Sequence, residues 1–501
     1  MGIKKNTTKT EHAPLLEVKD FSLTFRQYGK GLRETELEII RQFNLTVYPG
    51  EIVAVLGASG SGKSLLANAI LGILPRNAQT EGILNYRGKP LSNQKAKALR
   101  GKEISLIPQS VNALDPLMKV GKQVQSVIKE KNKHEVQQTI FRRIGLNHHV
   151  GDLYPFELSG GMSRRVLTAI AMVSGASLVI ADEPTPGLDP KVLRETLKYM
   201  KQLAIEKKGI MFITHDIEIA LTLADKIAIF NEGETVEVAH AHQFTGKGEQ
   251  LHHPYTRALW NALPQNAFSS STDLYDSSLV KVQERSITSR VIKSHSENKS
   301  SALEVKELSF HYPNKRWLFK KLNLSVSPGE IVGLFGYSGS GKSTMAQIMS
   351  GYKMPIEGQV LIDGQPLSTA IHPVQLVWQH PEKAINPRWR LKKVLQEAKH
   401  LDSELMTLLG IKSKWLNRWP SELSGGELQR FCLARALAAE NIKYLIADEM
   451  TTMLDAVTQA QIWHVVMRLA KERNIGVLAI SHNHKLLQRI SDRVINFTDL
   501  I

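Results

Sequence analysis

The sequence has very little cysteine and no long apolar run. Only one of its 501 residues, Cys432, is a cysteine, which excludes a disulfide framework, a cysteine-ligated zinc site and a multi-cysteine iron–sulfur cluster. A chain without paired cysteines suits a reducing compartment. No apolar stretch approaches the ~20 residues of a membrane-spanning helix, and residues 1–10 lack the apolar core of a signal peptide. We therefore expect a chain that is soluble by itself.

Acidic residues are also outnumbered. The chain has 48 Asp and Glu against 64 Lys and Arg, a net charge of +16. Such an excess suits a nucleic acid partner, an anionic membrane surface or a well-solvated basic protein. Because no single block of Lys and Arg stands out, the charge does not favour nucleic acid over the other two.

What the sequence does contain is a glycine-rich motif that occurs twice. Each copy follows an apolar run and precedes a helix-forming stretch, which is the context of a phosphate-binding loop. In such a loop backbone N–H groups surround a triphosphate, the lysine reaches the β- and γ-phosphates, and the serine holds Mg²⁺. The sequence therefore predicts two sites for ATP and Mg²⁺. The loop residues predicted to bind nucleotide are Gly57, Ser59, Gly60, Ser61, Gly62, Lys63 and Ser64, and Gly336, Ser338, Gly339, Ser340, Gly341, Lys342, Ser343 and Thr344.

A later apolar run in each half ends in two carboxylates. These pairs are Asp182-Glu183 and Asp448-Glu449. At a strand end they would face the phosphate loop, where the aspartate can hold Mg²⁺ and the glutamate can polarise the attacking water. Apolar runs without alternation suit strands that are covered on both faces, so each half is predicted to form an α/β layered core.

The spacing of the motifs predicts two tandem domains. The predicted limits are a flexible N-terminus at 1–14, a first ATPase domain at 15–264 and a second at 302–501. Residues 265–301 between them are polar and serine-rich, a composition typical of a flexible linker.

Two further segments carry a family resemblance. Residues 158–162 read LSGGM and residues 423–427 read LSGGE, and both resemble the signature of the ATP-binding cassette (ABC) family. With the other motifs, the resemblance covers nearly the whole chain outside the N-terminus and the linker. It implies two ABC nucleotide-binding domains, each a RecA-like P-loop α/β core with a helical subdomain. It also implies that the two cassettes pair head to tail, so that each ATP lies between one phosphate loop and the opposite signature.

The resemblance implies roles for individual residues. The implied catalytic residues are Glu183, Glu449, His215, His482, Gln109 and Gln379. The implied Mg²⁺ ligands are Ser64, Gln109, Asp182, Ser343, Gln379 and Asp448. Outside the phosphate loops, the implied ATP-binding residues are Ser159, Gly160, Gly161, Ser424, Gly425, Gly426, Asp189, Asp455 and Tyr312. Tyr312 would stack on adenine, whereas in the first half the choice between Phe25 and Tyr28 stays open. Met162, Met450 and Pro186-Gly187 depart from the family pattern, which leaves open whether the two sites turn over equally.

Three further segments narrow the resemblance to one subfamily. Residues 253–259 (HPYTRAL), 112–116 (NALDP) and 384–387 (AINP) are similar to segments of the ATPases of oligopeptide, dipeptide and nickel importers. The resemblance implies a motor that works with two integral-membrane permease subunits and indirectly with an extracytoplasmic solute-binding protein. It implies a peripheral position on the cytoplasmic face of the inner membrane and no nucleic acid partner. The cargo stays open among peptides, nickel and metal-chelator complexes.

Two alternatives remain at this point. One is a tandem-cassette translation factor on the ribosome, although the short serine-rich linker lacks the sustained heptads expected there. The other is the ATPase of another importer class, such as a vitamin or cobalt importer, against which HPYTRAL is the main argument.

Overall fold

The computed structural model describes most of the chain. The described residues are 13–28, 34–58, 60–185, 188, 190–269, 302–313, 316–337, 339–367, 373–398, 403–452 and 454–501. The chain divides into two compact units, Met1–Thr256 and Arg257–Ile501. The predicted N-terminal segment and linker lie mostly outside the described residues, and the predicted domain limits stay predictions.

The first unit alternates strands and helices. Its strands are Leu16–Tyr28 (β1), Glu34–Val47 (β2), Ile52–Gly57 (β3), Ala78–Tyr86 (β4), Lys89–Pro90 (β5), Ile104–Ile107 (β6), Leu178–Asp182 (β7), Gly209–Thr214 (β8), Lys226–Asn231 (β9) and Glu234–His240 (β10). Its helices are Lys63–Ile70 (α1), Asn93–Leu99 (α2), Val120–Val127 (α3), Lys133–Arg143 (α4), Gly160–Val173 (α5), Pro190–Ile205 (α6) and Ile217–Leu223 (α7). Helix Pro254–Asn261 (α8) contains the division between the units.

Two sheets form the core of the first unit. One has the strand order β2-β1-β4-β5 and the other β10-β9-β3-β8-β7-β6. In the second sheet β3 lies parallel between β8 and β9, and β7 lies parallel between β6 and β8. Every residue of β3, β7 and β8 is buried, as continuous apolar strands covered on both faces require. The carboxyl ends of β3 and β7 carry the phosphate loop and the Asp182-Glu183 pair.

The second unit repeats this order. Its strands are Leu303–His311 (β11), Trp317–Val326 (β12), Ile331–Phe335 (β13), Glu357–Ile362 (β14), Gln365–Pro366 (β15), Val374–Val377 (β16), Tyr444–Asp448 (β17), Gly476–Ser481 (β18) and Arg493–Asn496 (β19). Its helices are Lys342–Met349 (α9), Pro381–Ala384 (α10), Leu391–Gln396 (α11), Ser403–Leu408 (α12), Gly425–Leu437 (α13), Ala456–Glu472 (α14) and His484–Ile490 (α15). The sheets have the orders β12-β11-β14-β15 and β16-β17-β18-β13-β19.

Each unit also has a helical part. In the first unit α3, α4 and α5 pack around one apolar cluster that includes Val124, Phe141 and Val166. In the second unit the buried side chains of α11 and α13 belong to a single large cluster. Cys432 lies in that cluster, and burial raises the pKa of its thiol to about 12.

The predicted fold is confirmed. Each unit combines a mainly parallel sheet, a phosphate loop between a strand and a helix, and a helical part that begins after the glutamine motif. No helix in the described part of the chain is both long and apolar enough to cross a membrane.

Candidate active sites

Each phosphate loop ends in a glycine that no other residue can replace without strain. Gly62 precedes α1 with φ +103°, and Gly341 precedes α9 with φ +112°. A Cβ added to Gly62 would lie 2.9 Å from Cγ2 of Ile39, and one added to Gly341 would lie 2.9 Å from Cγ of Leu318. Both the left-handed backbone and the close contact therefore require glycine.

The lysine of each loop folds back over its own loop. Lys63 Nζ donates to the carbonyl oxygens of Gly57 (2.8 Å) and Ala58 (2.6 Å). Lys342 Nζ donates to those of Gly336 (2.7 Å) and Tyr337 (2.7 Å). The two loops thus hold the ammonium groups of their lysines in the same way. Ser59 and Ser338, predicted to bind nucleotide, lie outside the described residues.

An aspartate at the end of a buried strand faces the serine of each loop. Ser64 hydrogen-bonds to Asp182, and Ser343 hydrogen-bonds to Asp448. Burial raises the pKa of both carboxyl groups. In the described part of the chain, Oδ1 of each aspartate is buried without a hydrogen-bond partner. Each site therefore contains an oxygen acceptor with unused capacity next to a hydroxyl group.

In the first site two side chains contact the carboxylate of Glu183. Gln109 Nε2 donates to its Oε2 at 3.0 Å, and Nδ1 of His215 lies 3.1 Å from its Oε1. Burial by itself raises the pKa of Glu183, but His215, and to a smaller extent Lys63 and Gln109, outweigh it, so this pKa lies below its ordinary value. Burial lowers the pKa of His215, yet Glu183 raises it above its ordinary value. Both shifts favour an ion pair.

The second unit assembles the same group. Gln379 Nε2 donates to Glu449 Oε2 at 3.0 Å, and His482 Nδ1 lies 3.4 Å from the same oxygen. Burial by itself raises the pKa of Glu449, but His482, together with the charges of Lys342 and His380, outweighs it, so this pKa lies below its ordinary value. Sequence reasoning thus identified three side chains that meet in each unit. It did not foresee that both glutamates have a left-handed backbone, with φ +45° at Glu183 and +49° at Glu449.

The signature segments begin helices α5 and α13. Ser159 accepts a hydrogen bond from the N–H of Met162 at 3.3 Å, and Ser424 accepts one from the N–H of Glu427 at 3.3 Å. A Cβ added at Gly160 or Gly161 would meet no atom within 4 Å. Packing inside the first unit therefore does not explain these two glycines.

Tyr312 lies beside the second phosphate loop. Its hydroxyl is 3.1 Å from Oγ1 of Thr344, and the ammonium of Lys353 lies 5.4 Å from its ring centroid. A cavity of about 210 Å³ joins this ring to the loop. The cavity is lined by Tyr312, Leu318, Gly339, Gly341, Lys342, Ser343, Thr344, Gln379 and Glu449. Leu318 was not identified from the sequence.

The first unit has a residue in the position of Tyr312. Strands β1 and β11 start with the same letters, Leu-Glu-Val-Lys, at residues 16–19 and 303–306. Asp20 and Glu307 follow with φ +47° and +51°, so both strands are irregular at the same point. Counting onward from these residues, Phe25 corresponds to Tyr312. The side chain of Tyr28, the other candidate, lies outside the described residues.

Three further residues concern these sites, two aspartates that were predicted and one arginine that was not. Asp455 caps helix α14 by accepting from the N–H of Thr458 at 3.1 Å, and its predicted role across a cassette interface stays a prediction. Asp189, its counterpart in the first unit, lies outside the described residues. Sequence reasoning missed Arg164, whose Nη1 donates to the carbonyl oxygen of Glu183 at 3.1 Å.

Comparison with known proteins decides the family. The model of the family described as "ABC transporter" matches residues 40–186 and 319–452, which together span more than half of the chain. This chain belongs to the ABC transporter family. The family assignment and the ATPase activity predicted from the motifs are confirmed, and the two matched regions correspond to the two units.

Curated relatives of this family member match along almost all of its length. It is 30% identical to the glutathione import ATP-binding protein GsiA of Pectobacterium atrosepticum, over 96% of this chain and 84% of the relative. It is 29% identical to GsiA of Salmonella typhimurium, with the same coverage. It is also 29% identical to the uncharacterized ABC transporter ATP-binding protein YejF of Escherichia coli, over 96% of this chain and 93% of the relative.

Among solved structures, the chain is similar to an archaeal ribosome recycling factor, aABCE1. The TM-score is 0.60 at 20% identity, over 94% of this chain and 87% of the other. At this identity the likeness shows a common fold and nothing about function.

Proposed function

We propose that this chain is the ATP-hydrolysing motor of an importer for small peptides, of the class to which the tripeptide glutathione belongs. It works with two integral-membrane permease subunits from the cytoplasmic face of the inner membrane. The observation that carries the proposal is the match over 96% of the chain to glutathione import ATP-binding proteins, together with two complete polar sites.

In each proposed ATP site, backbone N–H groups and the loop lysine bind the phosphates. Glu183 and Glu449 orient and polarise the attacking water as general bases. Gln109 and His215 hold the Glu183 carboxylate from two sides, with hydrogen-bonding distances of 3.0 and 3.1 Å, and they contact the γ-phosphate during turnover. Gln379 and His482 act on Glu449, where both lie near the same oxygen, Oε2.

Magnesium fits the aspartate and serine of each site. Carboxylate and hydroxyl oxygens are the ligands that this hard cation prefers. The buried Oδ1 atoms of Asp182 and Asp448, which lack a partner among the described residues, have the capacity to hold it, with Ser64 and Ser343 beside them. Gln109 and Gln379 complete the proposed ligand sets. The bound ion supplies charge neutralisation on the β- and γ-phosphates.

The adenine rings stack on Tyr312 in one site and on Phe25 in the other. The Tyr312 ring lines the same cavity as the phosphate loop, and Phe25 occupies the corresponding place in β1. An aromatic face at this place supplies stacking without base-specific hydrogen bonds.

The two cassettes pair within the chain. We base this on the open space at Gly160 and Gly161, since glycine N–H groups at a helix start suit a phosphate. In the pair, Lys63 and Glu183 act on an ATP that also contacts Ser424, and Lys342 and Glu449 act on one that contacts Ser159. ATP favours the closed pair, and hydrolysis reopens it.

The second cassette offers the permease a basic docking surface. A cavity of about 340 Å³ is lined by Arg388, Trp389, Arg390, Lys392, Lys393, Gln396, Asn417 and Trp419. Among these described residues none is acidic. The ammonium of Lys393 lies 4.2 Å from the ring centroid of Trp389, and the guanidinium of Arg390 lies 5.0 Å from that of Trp419. Charge complementarity assigns an acidic cytoplasmic segment to this surface.

The corresponding surface of the first cassette also carries two lysines, Lys119 and Lys122, at the places of Arg390 and Lys393, but it adds exposed apolar side chains. Val120 N–H donates to Leu153 O, as Leu391 N–H donates to Arg418 O in the second unit, so the same two segments meet in both. Near them Leu117 and Phe156 are 88% and 76% exposed. These side chains favour a permease segment with more apolar contact here, so the two cassettes are suited to two different permease subunits.

Uptake of labelled glutathione and short peptides tests the proposed transport. Cells lacking this chain should lose uptake, wild-type chain should restore it, and the Glu183→Gln, Glu449→Gln chain should not. Uptake of nickel in place of peptides would overturn the proposed cargo while leaving the importer. Normal uptake of all cargoes, with the chain recovered on ribosomes and without permease subunits, would overturn the importer itself.

A further inference from the structure

The backbone carbonyl oxygens of the two catalytic glutamates have different hydrogen-bond donors. Glu183 and Glu449 have the same left-handed backbone, and their N–H groups donate to Ile213 O and Ile480 O at the same distance, 3.0 Å. A non-glycine residue in this region is strained and persists only where its surroundings hold it. The groups that hold its carbonyl therefore matter for the position of the carboxylate.

In the second unit the donors come from the same turn. Thr452 donates to the carbonyl oxygen of Glu449 twice, from Oγ1 at 2.9 Å and from its N–H at 3.2 Å. The first unit cannot form either bond, because the residue three positions after Glu183 is Pro186. Proline has no N–H and no hydroxyl.

In the first unit a donor among the described residues comes from the signature helix instead. Nη1 of Arg164, in the second turn of α5, donates to Glu183 O at 3.1 Å. The residue at the same distance from the signature serine in α13 is Gln429. Its Nε2 donates to Trp378 O at 2.9 Å, and its buried Oε1 has no partner among the described residues.

We propose that Arg164 is a positioning residue for Glu183 and replaces the two donors that Thr452 supplies to Glu449. The carbonyl oxygen of each glutamate thus has a side-chain donor, but the two donors differ. Thr452 lies in the same turn as Glu449, whereas Arg164 lies on a different element from Glu183. The position of Glu183 is consequently coupled to helix α5 through this bond, whereas the Glu449 carbonyl takes its donors from Thr452 in its own turn.

Two changes in the first unit test this as a double-mutant cycle on the full chain. Arg164→Gln should lower kcat for ATP by about tenfold, the size of one charge-assisted hydrogen bond, with little change in KM. Adding Pro186→Thr to Arg164→Gln should restore kcat to within about twofold of wild type. Rescue separates positioning from a general structural role, because a new hydroxyl at residue 186 repairs only this carbonyl.

The mirror pair in the second unit is the matched control. Thr452→Pro should lower kcat, and adding Gln429→Arg should recover it, while the thermal unfolding midpoint shows that each chain is folded. Should Arg164→Gln fail to fold, this pair decides the matter. Unchanged kcat in folded Arg164→Gln, or no recovery in both double variants, would overturn the proposal.

Discussion

Around the predicted reacting groups the two units share their glutamine and lysine hydrogen bonds, while their supporting and outward-facing residues differ. Both glutamine donors lie 3.0 Å from their glutamate, and both lysines donate to the first two carbonyls of their loop. The helix caps, the donors to the glutamate carbonyl and the exposed faces all differ. The predicted phosphate-binding groups keep one geometry in both units, whereas their support is built in two ways.

The difference is clearest at the surfaces that follow the two glutamine motifs. One carries Leu117 and Phe156, and the other carries Arg388, Trp389 and Lys393. A permease with two different subunits would require two cassettes with similar ATP sites and different docking surfaces. The following predictions test how far the likeness and the unlikeness extend, from the largest effect to the smallest.

Removing either catalytic carboxylate should stop most turnover. Glu183→Gln and Glu449→Gln should each lower kcat at least about 100-fold, because a general base contributes on that order. Steady-state ATPase assays of the purified chain measure this. Binding of a fluorescent ATP analogue should be retained in both variants. Near wild-type turnover after one change would show that its site is dispensable and that the two sites are unequal.

The signature glycines should separate activity from stability. Gly161→Ala should lower kcat at least about tenfold, since a methyl group there displaces a ligand and not a protein atom, and the unfolding midpoint should not fall. Gly426→Ala is the control, because its Cβ would lie 2.7 Å from Leu454 Cδ2. That variant should also lose about 1 kcal/mol of stability through overpacking. Equal stability losses in both variants would contradict this distinction.

The docking faces should respond differently to salt. Arg388→Glu with Lys393→Glu should weaken binding to the permease in nanodiscs by about tenfold at low salt and less at high salt. Phe156→Ser should weaken binding with little salt dependence, because it removes apolar contact. Identical salt dependence for the two variants would refute the assignment of an acidic and a more apolar partner segment.

The smallest effect concerns the helix caps. Glu427 accepts from the N–H of Ser424 at 2.8 Å and from its hydroxyl at 3.0 Å, and Met162 cannot do so. Glu427→Met should cost about 0.5–1 kcal/mol of local stability at the start of α13, and Met162→Glu should add a similar amount to α5. Hydrogen–deuterium exchange of residues 424–428 and 159–163 measures the change in local stability at both helix starts. Unaltered exchange in both segments would show that the caps are interchangeable.

Much of the fold and the site follows from the sequence because the motifs report local backbone requirements. Gly62 and Gly341 lie where only glycine fits, and the all-buried strands appear as uninterrupted apolar runs. The pair Asp182-Glu183 comes at a strand end, so its place near the phosphate loop follows from parallel-sheet topology.

Other features depend on contacts between distant segments and are not visible in any motif. Arg164 reaches Glu183 across 19 positions, and nothing in either local sequence announces that bond. The left-handed backbone of Glu183 and Glu449 is likewise imposed by neighbours, since glutamate has no preference for it. The correspondence of Phe25 to Tyr312 could have been read from the sequence, because Leu-Glu-Val-Lys occurs at the start of both β1 and β11.

The single thiol has a practical consequence. Cys432 is buried and its pKa is about 12, so almost none of it is thiolate at neutral pH, and thiolate is the form that reacts. Probes that label cysteine should therefore leave the natural chain unmodified. Pairs of cysteines introduced on exposed positions of the two units can then carry spin labels without background, and the distance between them can be followed through the nucleotide cycle.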